Sequence, residues 1–234
     1  MAAPVFTLGI ETSGRTFSLA LLKDGEPASS FFMNDGHNHS KRLVGGIRDF
    51  LKTNGITIQQ IKYFAVDIGP GSFTGVRVGV SAARMIAQSL KTELFGVSSL
   101  DVSAGFFDFF KGIIIPVIPA VKGEIYVSAF DNSGLKMKRV KKEVFFKVGD
   151  IKPFLRSILH GKPKNILVCG SAAGMYEEFL KSVLPENAII KKSEPLAEQL
   201  AAIAWKRVCG KYPVDGRWRN VLPNYIKPPY AFVK

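Results

Sequence analysis

Two cysteines, Cys169 and Cys209, are all that this chain of 234 residues contains. So few exclude a disulfide framework and a cysteine metal site, and they fit a reducing compartment. Histidine is nearly as scarce. His37 and His39 stand beside Asp35 in a polar Asn-Asp-Gly stretch that reads as solvated, and His160 is remote, so a three-histidine site would need distant segments to converge. No apolar run approaches the roughly 18–20 residues of a membrane span. The N-terminus enters a strand-like run at Val5 without the basic and apolar regions of a signal peptide. A cytoplasmic protein with no membrane contact is expected. Acidic residues are also short: 19 Asp and Glu against 32 Lys and Arg leave a net charge of +13. Such a surface attracts polyanions through a long-range field. Its basic residues are spread out, with local clusters at Lys136-Lys138-Arg139-Lys141-Lys142 and Lys191-Lys192, and no aromatic-basic signature of an RNA-recognition module appears. Neither a Gly-x-Ser-x-Gly elbow nor a His-Glu-x-x-His motif occurs, which removes motif support for a hydrolase.

What is present is a core-forming chain, 47% hydrophobic, organised in two similar halves. Strand-like segments at 5–10, 16–22 and 28–33 are linked by Glu11-Thr12-Ser13-Gly14-Arg15 and by Lys23-Asp24-Gly25-Glu26-Pro27, the second of which reads as a hairpin turn. A helix over 40–53, a strand over 63–68, a helix over 76–90, a strand over 94–97 and a helix from Ser99 follow. The second half repeats the plan: strands at 113–118, 125–130 and 140–146, a helix over 150–159, a strand at 166–169, and helices over 175–183 and 196–208. Strands followed by strand-helix alternation imply α/β architecture with mixed sheets flanked by helices. The end, from Trp218 through Pro223 to Pro228-Pro229, reads as an irregular proline-rich tail on the surface.

The most distinctive stretch is Gly69-Pro70-Gly71-Ser72-Phe73-Thr74-Gly75-Val76-Arg77-Val78-Gly79. It turns a buried strand into a helix that Ser72 or Thr74 can cap. Gly75, Gly79, Ala83 and Ala87 recur every four residues and form one small-residue edge. Glycine inside a helix costs about 1 kcal/mol relative to alanine, so this edge implies close packing, either on the protein's own sheet or against a partner helix. The loop lacks the Gly-Lys-Ser/Thr ending of a phosphate loop and the Gly-x-Gly-x-x-Gly of a dinucleotide fingerprint. Two other turns could meet a nucleotide: Glu11-Thr12-Ser13 through a carboxylate and hydroxyls, and Gly170 to Gly174 by close backbone approach.

The glycine-rich segment resembles the signature of the TsaB (YeaZ) family of bacterial tRNA threonylcarbamoyladenosine biosynthesis proteins. Leu8-Gly9-Ile10-Glu11-Thr12-Ser13, His39-Ser40-Lys41-Arg42-Leu43, Gly123-Glu124-Ile125-Tyr126 and Leu222-Pro223-Asn224-Tyr225-Ile226 extend the likeness over the chain. The resemblance implies an actin-like ATPase (ASKHA) fold of two ribonuclease-H-like halves, divided as 1–110 and 111–234. It implies a non-catalytic scaffold that binds a TsaD homologue, with a TsaE homologue, for threonylcarbamoyl transfer to N6 of adenosine 37 in ANN-decoding tRNAs. On that reading Leu43, Ile47, Phe50, Gly75, Gly79, Ala83 and Ala87 form the partner interface, a homodimer can form in isolation, and tRNA is met through the complex. TsaD-like catalysts carry a metal-binding His-x-x-x-His whose places here fall near Ser99 and Ser103, so no catalytic residue and no intrinsic cofactor are expected. Where many members have Asp-Ala-Arg, this chain has Pro119-Ala120-Val121, and Glu11 stands where aspartate is common. The alternative is an actin-fold ATP-dependent phosphotransferase or ATPase, with Glu11, Thr12 and Ser13 placing Mg and the phosphates of ATP or ADP, and Gly170 and Gly174 receiving the nucleoside.

Overall fold

The structure is a computed structural model that describes residues 3–14, 16–33, 39–121, 123–159, 165–210 and 216–227. In chain order its elements are β1 (Phe6–Glu11), β2 (Phe17–Lys23), β3 (Glu26–Met33), α1 (His39–Thr53), β4 (Ile61–Asp67), α2 (Phe73–Leu90), β5 (Glu93–Val97) and α3 (Ser99–Gly105). There follow β6 (Ile113–Pro119), β7 (Glu124–Asp131), β8 (Lys138–Lys147), α4 (Ile151–Ile158), β9 (Ile166–Cys169), α5 (Ser171–Met175), α6 (Glu177–Val183), β10 (Ile189–Lys191) and α7 (Ala197–Cys209). Two compact units result: residues 1–102 with 195–224, and residues 103–194 with 225–234.

In the first unit the sheet order is β3-β2-β1-β4-β5. β1 pairs antiparallel with β2 and parallel with β4, so it is central, and all six of its residues are buried. A strand covered on both faces reads as a nearly continuous apolar run. β3, at the sheet edge, instead alternates between exposed and half-buried residues along its second half. The β2–β3 hairpin turns at Asp24 and Gly25, whose φ angles of 54° and 89° are both positive. Asp-Gly suits such a turn, because glycine adopts positive φ freely and aspartate tolerates it.

One face of this sheet is covered by α1 and α2, with Leu8, Ile10, Phe17, Leu43, Ile47, Phe64 and Val80 in the shared core. The other face carries α7, through Leu200 and Ala204 against Ala65, Phe95 and Val97. Gly9 allows this approach, since a Cβ there would strike the Ala197 backbone, and Ala197 N donates to Ser18 Oγ at 3.1 Å. The expected division at 110/111 is thereby corrected. α7 returns to the first unit because the otherwise bare back of β1, β2 and β4 needs an apolar cover. The segment after it returns as well: Leu94 N donates to Gly216 O, Val221 enters the core, and Asn224 N donates to Ile68 O. Residues 216–224 are thus part of the unit and not a tail laid over its surface. Pro228 and Pro229 lie outside the described residues.

The second unit has the order β10-β9-β6-β7-β8. Three antiparallel strands continue into two parallel ones, as in the first unit, although no sequence repeat accompanies the match. Ile115, Val117, Val127 and Val168 pack with Ile151 and Leu155 of α4 and Leu180 of α6. The expected helix over 175–183 is two short helices meeting at Tyr176. β10 has three residues and no apolar period, which is why the pattern did not announce it. Among the described residues, no helix is long and apolar enough to cross a membrane.

Candidate functional site

β1 and β4 are parallel neighbours with Ile10 opposite Val66, so the next residues, Glu11 and Asp67, end both strands at the same edge. The crevice outside the carboxyl ends of parallel strands is where open α/β sheets place ligands. Both carboxyl side chains are fully buried. Glu11 Oε1 accepts from Ser13 N at 2.5 Å and Gly14 N at 3.3 Å. Asp67 Oδ1 accepts from Gly69 N and from the Ser99 hydroxyl, each at 2.6 Å. Ser99 Oγ also lies 3.2 Å from Ser13 Oγ, which joins the two loops and the start of α3.

The second oxygens, Glu11 Oε2 and Asp67 Oδ2, are buried without a hydrogen-bond partner. Burial, then the Asp67 charge and a carboxyl-carboxyl hydrogen bond, push the Glu11 carboxyl well above its usual range. Burial raises Asp67 too, opposed by hydrogen bonds from Glu11, Ser99, Gly69 and Ser13. Two carboxylates cannot both stay charged at this distance from water. The raised Glu11 carboxyl favours its protonated form beside Asp67. With Glu11 protonated the pair carries one negative charge and not two, and one oxygen of each carboxyl, Glu11 Oε1 and Asp67 Oδ1, is bonded from inside the protein.

Thr12 and Ser13 are committed in the same way. Thr12 Oγ1 donates to Gly75 O at 2.8 Å, and Ser13 O accepts from Ser72 N at 2.7 Å. Ser72 in turn caps α2 through Gly75 N. A Cβ on Gly75 would strike Thr12 O, one on Gly79 would strike Thr12 Oγ1, and one on Gly71 would strike Ser13 O. The small-residue edge of α2 is thus the seat of the first loop. Of the two packings that the edge implied, the intramolecular one is realised. Assigning Gly75, Gly79, Ala83 and Ala87 to a partner interface is corrected: all four are buried within the unit. So are Leu43, Ile47 and Phe50 of α1, each at 7% exposure or less. Their apolar period marks the face that holds the helices to their own sheet.

What α1 and α2 leave outside is a different set. Val44 and Met85 are 57% and 58% exposed. An apolar groove of about 480 Å³ between the helices is walled by Val44, Leu51, Ile56, Ile58 and Ile86, with Arg48 and Lys52 also lining it.

In the second unit, Gly170 N donates to Ser193 Oγ at 3.0 Å and Gly170 O accepts from Ala173 N at 3.1 Å. Gly170 has φ 109° and lies against Val117 O, and Gly174 faces the Lys192 side chain. Both glycines serve close packing within their unit. Ser99 is an Asp67 ligand, and the Ser103 hydroxyl is buried without a partner. Asp35, His37 and His160 lie outside the described residues, as does the side chain of His39. Among the described residues, no group of three or more His, Cys, Asp or Glu could hold a metal. Asp67 is the site residue that the sequence reading passed over. Its signal is a lone acid closing an apolar strand, one residue before Gly69-Pro70-Gly71.

Two units with one shared strand order, each joining an antiparallel three-stranded arm to two parallel strands, define an actin-like fold of two ribonuclease-H-like units. Sequence and structure place the chain more narrowly. The family model described as "TsaD: tRNA N6-adenosine threonylcarbamoyltransferase" matches residues 35–221, and the chain belongs to that family, with TsaB/YeaZ proteins as its relatives. It is 26% identical over 230 residues to the tRNA threonylcarbamoyladenosine biosynthesis protein TsaB of Bacillus subtilis, covering 97% of this chain and 96% of that one. With Escherichia coli TsaB it shares 32% identity over 132 residues, 55% of this chain and 57% of the other. YeaZ from Pseudomonas aeruginosa superposes with a TM-score of 0.75 at 24% identity, covering 94% of this chain and 99% of that one.

Proposed function

We propose that this chain is the non-catalytic subunit of a cytoplasmic complex that forms threonylcarbamoyladenosine in tRNA, and that it works by binding a TsaD homologue with a TsaE homologue. Its membership of this family and the names of its TsaB relatives supply the pathway. The observation that carries the non-catalytic part is that the hydrogen-bond donors of the strand-end site are spent inside the protein. The Ser13 and Gly14 amides donate to Glu11 Oε1, the Ser99 hydroxyl to Asp67 Oδ1 and the Thr12 hydroxyl to Gly75 O, so these donors are turned inward and not aimed at a reacting group. An oxyanion or phosphate site works through preorganised donors pointing at the ligand; here the Glu11 carboxyl takes the Ser13 and Gly14 amides. Isothermal calorimetry of the isolated chain with Mg-ATP should accordingly give no saturable heat at micromolar protein. Reconstitution with TsaD, TsaE, a threonylcarbamoyl-adenylate source and tRNA tests the role itself. Modification should require the chain, and the chain alone should form none; turnover by the isolated chain would refute the proposal.

The docking face on this reading is the groove between α1 and α2. Exposed apolar anchors over a groove with cationic side chains suit a helix with apolar and acidic residues. A buried anchor at an interface commonly contributes about 2 kcal/mol, or roughly 30-fold in Kd. Val44→Asp combined with Met85→Asp should weaken the complex with TsaD by that factor or more and leave the melting temperature nearly unchanged. Unaltered co-elution would show that the partner sits elsewhere.

A further inference from the structure

A second concavity of the first unit, about 620 Å³, is lined by Gln88, Lys91, Glu93, Arg217, Trp218 and Arg219. It lies where α2 ends and β5 begins. The Arg219 guanidinium stands 5.2 Å from the Trp218 ring and that of Arg84, on α2, stands 5.8 Å from it. Two guanidiniums thus stand near one indole, with Lys91 and Arg217 lining the same concavity and Glu93 as its carboxylate among the described residues. The chain here is held at both ends: Gly216 O takes a bond from Leu94 N, and Val221 is buried in the core. Arg217 and Arg219 are exposed while Trp218 is half-buried, so the charged heads and part of the ring are presented to solvent from a fixed segment.

From this geometry we infer that the Arg84, Lys91, Arg217, Trp218 and Arg219 cluster is an RNA-docking site that takes backbone phosphates on its guanidiniums and an unpaired base against the indole. The inference rests on the reading above that the chain serves a tRNA-modifying complex. Arginine forks match phosphate oxygens in paired hydrogen bonds. An aromatic face among arginines is the feature that separates a single-stranded nucleic-acid platform from a merely basic surface, because every base can stack on it. The net charge of +13 supplies long-range attraction to any polyanion; the concavity supplies a place for it to settle. An acidic protein would use the cations equally well but would have less use for the ring.

The test uses the full chain with TsaD, TsaE, a threonylcarbamoyl-adenylate source and a tRNA transcript. Arg217→Glu/Arg219→Glu is compared with Lys138→Glu/Lys142→Glu on β8, which changes the net charge equally. Trp218→Ala tests the ring, and circular dichroism melting confirms that each variant folds. The site variant should raise the KM for tRNA about tenfold or more and lower the salt slope of binding by about 2, whereas the β8 variant should change KM less than threefold. Trp218→Ala should weaken binding of an unpaired-loop oligonucleotide about five- to tenfold, in keeping with about 1 kcal/mol for one lost stack. Equal losses in the two charge variants would reduce the site to the general field and overturn the inference. So would a site variant whose defect is in co-elution with TsaD and not in tRNA affinity, since that would make the cluster a protein contact. If the unaltered chain adds nothing to modification, the functional reading fails. Polarisation of labelled tRNA by the isolated variants at low salt still decides the docking site in that case.

Discussion

Replacing Gly79 by leucine is expected to destabilise the first unit, and not to produce a chain of unchanged stability that has merely lost a partner. A side chain at Gly79 runs directly into Thr12 Oγ1. Thr12 cannot turn aside at little cost, because its hydroxyl is bonded to Gly75 O and its residue is fully buried behind β1. Behind it stand Leu8 and Ile10, also without exposure. Overpacking a tight interior costs typically about 1–3 kcal/mol, and more where backbone has to move. A loss of about 3 kcal/mol or more is expected here. For a chain of this size that lowers Tm by roughly 6–12 °C. Gly79→Ala is the informative smaller step. It gains about 1 kcal/mol of helix propensity and meets the same oxygen, so its net effect measures how firmly Thr12 is held. Gly75→Ala meets Thr12 backbone oxygen, which has no rotamer to change, and should lower Tm more than Gly79→Ala. Differential scanning calorimetry of the three variants settles the point; a Gly79→Leu protein melting with the parent would mean that α2 does not sit on the Thr12 loop.

This outcome also explains why part of the molecule was legible in the sequence and part was not. β1, β2 and β4 were readable because strands buried on both faces leave unbroken apolar runs, and the Asp24-Gly25 turn because positive φ narrows the residue choice. The small-residue edge of α2 was equally visible as a demand for close approach. Its direction was not visible, because an edge that seats a loop and an edge that seats a partner need the same glycines. Likewise the periodicity of Leu43, Ile47 and Phe50 specifies a buried face without naming what buries it. The placement of α7 depended on a contact between Gly9 and Ala197, residues far apart in the chain, and no local pattern records that. Glu11 is conspicuous in the sequence for its charge, yet its meaning depends on Asp67. Only the parallel β1–β4 register brings the two carboxyls to one strand end, and neither acid carries a motif that points to the other.

That pairing makes stability pH-dependent with a definite sign. Burial and the neighbouring carboxyl raise the Glu11 pKa in the folded chain, and burial raises that of Asp67. In the unfolded chain both return to ordinary carboxyl values, about 4. A raised folded value means that the native state binds more protons. Its contribution to stability is fully present below the unfolded value and is lost as pH rises through the folded one. Between these limits the loss approaches about 1.4 kcal/mol per pH unit for one proton. Glu11→Gln removes the titration and can preserve the contacts. The amide NH₂ can donate to Asp67, and the amide oxygen can accept from Ser13 N. The difference in unfolding free energy between Glu11→Gln and the parent should therefore grow in favour of the variant as pH is raised from about 5 to 8, and flatten below about 4. Urea titrations at a series of pH values measure that difference directly and cancel the titration of groups outside the pair. Parallel pH profiles would mean that no proton is held between the strand ends. Asp67→Asn supplies the converse arrangement, since Glu11 would then face a neutral partner and ionise more readily. Its profile should lose only the part of the slope that the Asp67 charge and hydrogen bond cause, because burial, the larger cause, remains; an unchanged slope would mean that Glu11 is raised by burial alone.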